Sequence, residues 1–278
     1  MKGLKKMKQV LKYPGAKNKI APWIVSHIPG HDVYLEPYFG SGAVLFNKPP
    51  ARIETINDID GNVVNFFRVL RNNQKELIRA LKLTPYARDE YKEAYQNLKE
   101  DDETEQARKF AVRCWMGFGC SNRYQNGFRT SQQTTSPNTT KQWNEFIHTI
   151  REACLRLKNV QIENIDAVEL IKRYNTKDVF MYIDPPYLTG LRKNYIYKHE
   201  MTEEQHIELL EAVLKHPGKV MISGYESEMY AEYLKGWSVI TKNTQAERGV
   251  PRKEVLWMNY ELNKQMSIKD YMKAEAAQ

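Results

Sequence analysis

A chain of 278 residues with 42 Lys+Arg against 34 Asp+Glu, a formal charge of +8, can bury one sizeable core plus a subdomain and is suited to an acidic polymer as partner. Hydrophobic residues at 41% and charged residues at 27% exclude collagen-like, repeat and extensively disordered classes. No apolar run is long enough for a signal peptide or a membrane span, so no membrane partner is expected. Cys114, Cys120 and Cys154 lack metal-type spacing, and the six histidines form no HExxH; the thiols read as reduced in a cytoplasmic protein, with no metal.

No acidic residue precedes Asp32, so the chain starts as a basic arm containing Leu11-Lys12-Tyr13-Pro14-Gly15-Ala16-Lys17. Pro14-Gly15 makes a turn between Tyr13, whose ring can stack, and Lys17, which can meet an anion; a solvated arm is the competing reading. Asn18 to Ile28 reads as a short amphipathic helix stopped by Pro29-Gly30. Val33 to Glu36 is a short strand, followed by the loop Pro37-Tyr38-Phe39-Gly40-Ser41-Gly42 and an apolar helical run from Ala43 to Phe46. Strand, glycine loop and helix together bring backbone close to a ligand and turn helix N–H groups toward it. The spacing is Phe-x-Gly-x-Gly, not the dinucleotide fingerprint, and a glycine loop alone can mean only a tight turn. Ile53 to Asp60 gives a second strand with an acid at its end, about 20 residues beyond the loop, where a ribose hydroxyl is usually held. Asp58 fits that role, Asp60 is the nearby alternative, and an Asx cap on a helix beginning near Asn62 is the bland option.

Asn62 to about Leu98 is helical and mixed in charge, with a break at Thr84-Pro85. The character then changes. Between Gln106 and Asn144 there is no acidic residue, while Arg108, Lys109, Arg113, Arg123, Arg129 and Lys141 are interleaved with Trp115, Phe118, Tyr124, Phe128 and Trp143. Asn122, Gln125 and Asn126 add amides able to read base edges. Asn126-Gly127 is a hairpin-turn signal, placing Arg123 and Arg129 at a hairpin tip, whereas Arg108 sits on a helix, placed for the DNA backbone. A solvated insert with its own small core is the alternative; the lack of acids favours nucleic acid.

Thr140 to Lys158 returns to helix, and Val160 to Asp166 is a strand ending in another acid. Val179-Phe180-Met181-Tyr182-Ile183 is a continuous apolar run suited to a strand buried on both faces, and it runs into Asp184-Pro185-Pro186-Tyr187. The prolines stop the ladder, so Asp184 projects an acceptor at the carboxyl end, where open α/β sheets bind ligands, with the Tyr187 ring close by. Thr202-Glu203-Glu204-Gln205 is a capping box opening an amphipathic helix. Val220 to Ser223, Trp237 to Asn243 and Glu254 to Tyr260 complete the strands.

The order Phe39-x-Gly-x-Gly, basic insert, Asp184-Pro185-Pro186-Tyr187 resembles the Dam-like class (D12 class, alpha group) of DNA adenine-N6 methyltransferases. Lys12-Tyr13-Pro14-Gly15-Ala16-Lys17 is similar to the family's N-terminal Lys-Trp-Ala-Gly-Gly-Lys motif, with Tyr13 for Trp and an added Pro14, and Glu254-Val255-Leu256-Trp257 is similar to its closing strand. The resemblance implies a Rossmann-like α/β methyltransferase sheet in residues 1–65 and 160–278, with a mostly helical, hairpin-bearing recognition domain in 66–159. It implies S-adenosylmethionine as methyl donor, with Phe39, Gly40 and Gly42 against its methionine end, Asp58 on the ribose and Asp166 on the adenine amine. Tyr13, Lys17 and Glu36 support that pocket, and Asp184 adjoins it. Asp184 and the Pro185 carbonyl would hold the target amino group and Tyr187 would stack on a flipped base. Double-stranded DNA would be bound through Arg108, Arg113, Asn122, Arg123, Asn126 and Arg129. Two other readings compete: a catalytically silent DNA-binding module, and a protein glutamine N-methyltransferase, which usually carries Asn where Asp184 stands.

Overall fold

In the computed structural model, residues 7–97, 102–119, 124–188, 197–245 and 251–262 are described. The helices are α1 (Ala21–Val25), α2 (Gly61–Asn72), α3 (Gln74–Leu83), α4 (Arg88–Glu93), α5 (Glu103–Met116), α6 (Thr139–Leu157), α7 (Ala167–Arg173), α8 (Glu203–Leu214) and α9 (Glu228–Tyr233). The strands are β1 (Val33–Glu36), β2 (Ile53–Asn57), β3 (Val160–Glu163), β4 (Val179–Ile183), β5 (Lys219–Tyr225), β6 (Ser238–Gln245) and β7 (Pro251–Met258). They form one sheet in the order β3-β2-β1-β4-β5-β7-β6, parallel except for β7.

All five residues of β4 are buried, because helices cover both faces of the sheet. The pleat sends alternate side chains to opposite layers. Phe180 and Tyr182 join a cluster with Phe66, Phe67, Phe110 and Trp115 from α2 and α5, while Val179, Met181 and Ile183 join Leu170, Leu209 and Leu210 from α7 and α8. Burial at this density is the main favourable term holding the layers together. The strand order reverses between β1 and β4, which opens a crevice beyond their carboxyl ends. This is the Rossmann-like architecture expected from the sequence.

Several local expectations are corrected. The run Ala43 to Phe46 forms only a short 3-10 turn, Leu45–Asn47, because Lys48 precedes Pro49-Pro50 and takes extended geometry at φ −96 and ψ 156. Within Asn18 to Ile28 only Ala21–Val25 is regular helix. Asn126-Gly127 is not a hairpin turn: Phe118 N–H donates to Gly127 O at 2.6 Å and Gly117 bridges Phe128, so the pair closes the base of a loop. Gly127 also lacks the positive φ that the primed turn needs. Apart from these corrections, residue 66, where the recognition domain is expected to begin, lies within α2, whose phenylalanines pack in one cluster with residues of α5 and α6.

Candidate active site

The crevice is floored by two acids that end adjacent parallel strands. Glu36 closes β1 and is 2% exposed; Tyr34 donates its hydroxyl to Glu36 Oε2 at 2.7 Å. Burial outweighs that bond and pushes the Glu36 carboxyl up to about 8. Asp184 follows β4, where Pro185 ends the ladder. Its Oδ1 accepts from Ser223 Oγ at 2.9 Å and meets Lys17 Nζ at 2.9 Å. Ser223 is itself held by Tyr182 OH at 2.9 Å, so β4 and β5 fix one oxygen of the carboxylate from below.

Above these acids lies a cavity of about 410 Å³, within the range of small-ligand sites. Tyr13, Lys17, Glu36, Phe39, Gly40, Asp58, Asp166 and Asp184 all line it, so the structure brings eight of the nine expected cofactor-site residues together. Gly42 is the exception. Its φ is +70 and a Cβ there would stand 2.5 Å from both Phe39 and Phe46, so it serves the turn and not the wall. Gly40, at φ +50, lies beneath the Tyr13 ring, where a Cβ would come within 3.2 Å of Tyr13 Cδ1.

Asp58 Oδ2 accepts Gly40 N–H at 2.8 Å and Oδ1 accepts Asp60 N–H at 2.9 Å, tying the end of β2 to the glycine loop. Burial nevertheless raises the Asp58 carboxyl to about 7. Asp60, the alternative at this strand end, caps α2 by accepting Asn62 N–H at 3.1 Å. Asp166 caps α7 in the same way, through Glu169 N–H at 3.0 Å.

Tyr187 and Pro185 lie beside the cavity without lining it. Tyr187 is 8% exposed; its ring meets Tyr225 edge-on at 4.5 Å, and Lys17 Nζ stands 4.7 Å over it. Its hydroxyl donates to Glu254 Oε1 at 2.6 Å. Glu254, Ser223 and Tyr34 were not foreseen as site residues. Glu254 carried a signal, a carboxylate set just before the apolar run Val255 to Met258 of β7, but its partners are distant in sequence. Burial works to lower the Lys17 ammonium; Asp184, then Glu254, outweigh it and hold it above its usual range.

This geometry carries an acceptor at a switch point, a glycine loop, and a ribose-type acid beside a pocket. Residues 13–247 match the family model for D12 class N6 adenine-specific DNA methyltransferase. The chain belongs to that family. It is 26% identical over 247 residues to the type II methyltransferase M1.LlaDCHI of Lactococcus lactis subsp. cremoris, covering 82% of this chain and 84% of that protein. Likeness to the type II methyltransferase M.MjaIII of Methanocaldococcus jannaschii is 25% over 292 residues, 91% of this chain and 99% of the relative. A solved structure, a putative methyltransferase yhhF from Escherichia coli, aligns over 88% of this chain and 82% of its own at 13% identity and a TM-score of 0.35. Site-specific methylation of adenine N6 in DNA is therefore the activity, which sets aside the silent module and the protein-amide reading.

In this D12 methyltransferase the basic insert divides into buried and exposed parts. Trp115 and Trp143 are core residues at 6% and 2% exposure, whereas Phe118 and Tyr124 stand out at 61% and 54%. Arg108, expected on phosphate, is instead enclosed by Glu105, Glu90 and Thr84. Arg113, expected on DNA, donates to Ala94 O at 2.6 Å and lies against the Tyr95 and Phe110 rings. Arg129 spends Nε on Gly117 O at 3.0 Å, and its terminal guanidinium nitrogens make no hydrogen bond among the described residues. Asn126 is half-buried and its carbonyl accepts the Tyr91 hydroxyl at 2.8 Å. Asn122 and Arg123 lie outside the described residues. No described helix is long and apolar enough to cross a membrane, and no cluster of metal-binding side chains occurs among the described residues.

Proposed function

We propose that the cavity binds S-adenosylmethionine and that a target adenine, turned out of the duplex, presents its amino group to Asp184. The observation that carries this reading is Asp184 at the carboxyl end of β4, with one oxygen fixed by Ser223 and Lys17 beside a cavity of about 410 Å³. The residues fit the cofactor: Phe39 and Gly40 present ring and backbone to its methionine end, Asp58 a carboxyl to the ribose, and Asp166 an acceptor to the adenine amine. Tyr13 and Lys17 support the wall. Bound there, S-adenosylmethionine supplies an electrophilic methyl group on a sulfonium.

The amino group of adenine is a poor nucleophile because its lone pair is delocalised into the ring. Asp184 and the Pro185 carbonyl accept its two hydrogens, favour a pyramidal nitrogen and aim the lone pair, a gain of orientation and preorganised charge. Asp184 is too enclosed to meet a base inside a helix, which supports extrusion of the base. Tyr187, three residues beyond the acceptor and held by Glu254 through its hydroxyl, takes the base by stacking. The exposed Phe118 and Tyr124 with Arg129 form the DNA-facing part of the insert. Likeness to two type II enzymes supports a modification role within a restriction–modification pair.

Asp184→Ala tests the core of the reading. Methyl transfer to DNA should be abolished while titrated S-adenosylmethionine affinity changes little. A purified variant that labels DNA at more than a small fraction of the wild-type rate refutes Asp184 as the acceptor.

A further inference from the structure

Lys17 presents a difficulty for this chemistry. Its ammonium lies 2.9 Å from Asp184 Oδ1, so the pair as a whole carries no net charge. Yet the group facing the adenine amine must favour positive charge there. As N6 attacks, its lone pair becomes the new N–C bond, the broken S–C pair stays on sulfur, and the positive charge passes from sulfonium to N6. N6 then releases one proton through the Asp184 carboxylate to water. A neutralised carboxylate stabilises that charge less than a free one, because the ammonium repels what the carboxylate attracts.

The structure supplies a second carboxylate behind the lysine. Glu254 on β7 is 4% exposed, its Oε1 stands 3.7 Å from Lys17 Nζ, and the same oxygen accepts the Tyr187 hydroxyl at 2.6 Å. We propose that Glu254 is a positioning residue: it draws on the Lys17 ammonium and restores a net negative charge to the Lys17–Asp184–Glu254 cluster, leaving Asp184 to act on the amine. The proposal rests on the reading of Asp184 as acceptor. Glu254 is faced by Lys17 from the loop before α1, by Asp184 and Tyr187 from the segment after β4, by Tyr182 on β4, and by its register partners Tyr225 on β5 and Lys242 on β6. Arg252, also on β7, lies 5.4 Å from the Tyr225 ring centre. Burial raises the Glu254 carboxyl, the Lys17 ammonium opposes that rise, and Asp184 adds to it. Protonation of Glu254 on the acid side should therefore silence its charge while the fold persists.

Glu254→Gln keeps an oxygen for the Tyr187 hydroxyl and removes the charge. In single turnover, with saturating S-adenosylmethionine and unmethylated DNA carrying the site, transfer should slow roughly tenfold to a hundredfold. Dissociation constants for cofactor and DNA should stay within about twofold, since the loss belongs to the transition state. The acid limb of the wild-type rate profile should move to lower pH, which a merely structural residue would not do. Tyr187→Phe separates the two partners of Glu254, because the ring stays and the hydroxyl tie is lost. The Gln substitution should cost as much in that background as in the wild type. An effect that vanishes there means that Glu254 only tethers Tyr187 and overturns the proposal, as does a wild-type rate or an unmoved acid limb in Glu254→Gln. Should the Gln variant melt well below the wild type, Glu254→Asp decides: it keeps the charge and should outpace Gln, and a rate no better than Gln's overturns the proposal. An inactive Asp184→Ala beside a wild-type-like Glu254→Gln sinks this inference alone, whereas an active Asp184→Ala sinks the acceptor reading beneath it.

Discussion

Arg108 has 13% of its side chain exposed and donates through Nε and Nη2 to Glu105, at 2.7 Å each, and through Nη1 to Glu90 at 2.8 Å. Two carboxylates neutralise a residue that the charge pattern alone assigns to DNA: Glu105 borders the acid-free stretch on the same helix, and Glu90 comes from α4. Replacing it should remove charge-assisted bonds worth about 1.5–3 kcal/mol of folding stability. The salt dependence of DNA binding and the methylated motif should stay as they are. Arg129 is the contrasting case, with its guanidinium tips uncommitted among the described residues. Arg129→Ala should fold normally and relax the motif, by about 1–3 kcal/mol if it reads a guanine edge. Denaturation curves beside methylation-site sequencing separate the two; a stable Arg108→Ala with a flattened salt slope would return that residue to the interface.

The elements most legible in the sequence were those whose own residues decide them. Strand β4 is announced by an unbroken apolar run, α8 by its Thr202–Gln205 capping box, and the acids at strand ends by their spacing from the glycine loop. Partners distant in the chain decided the rest. The helix expected at Ala43 to Phe46 yields to Pro49-Pro50, which holds Lys48 extended where it reaches Glu54 at 2.6 Å. Glu254 gains its meaning from Lys17 and Tyr187, which no local pattern reveals. Gly42, expected against the cofactor's methionine end, has a left-handed φ of +70 and would set a Cβ 2.5 Å from Phe39 and Phe46, which makes it the pivot of the loop. Gly42→Ala combines strain with a clash and should cost more than about 1 kcal/mol of stability. The glycine loop would be displaced with it, so cofactor affinity should fall as well. Normal stability with normal affinity in a titration would show that the loop tolerates a side chain there.

Across the molecule, the crevice concentrates acids that burial keeps protonated. Asp58 holds its proton to about 7 and Glu36 to about 8, whereas in the unfolded chain each ionises at roughly pH 4, the ordinary carboxylate value. Between those limits the folded chain binds more protons than the unfolded one. The stability these two groups contribute is thus fully present below about pH 4 and is lost as pH rises through about 8. Denaturation of the ligand-free protein across that window should show the decline, and Asp58→Asn with Glu36→Gln should flatten it relative to the wild type. S-adenosylmethionine should follow the opposite slope. A ribose hydroxyl donates more strongly to a carboxylate than to a carboxylic acid, so affinity should climb as pH passes about 7 and Asp58 ionises. The site is then least stable empty under the conditions in which it binds best, and bound cofactor offsets the loss by mass action. Titrations at several pH values would expose this as a crossing of two trends. If Asp58→Asn keeps both the affinity and the pH dependence of the wild type, the ribose contact belongs elsewhere on the cavity wall, and Asp58 acts only as the tie between β2 and Gly40.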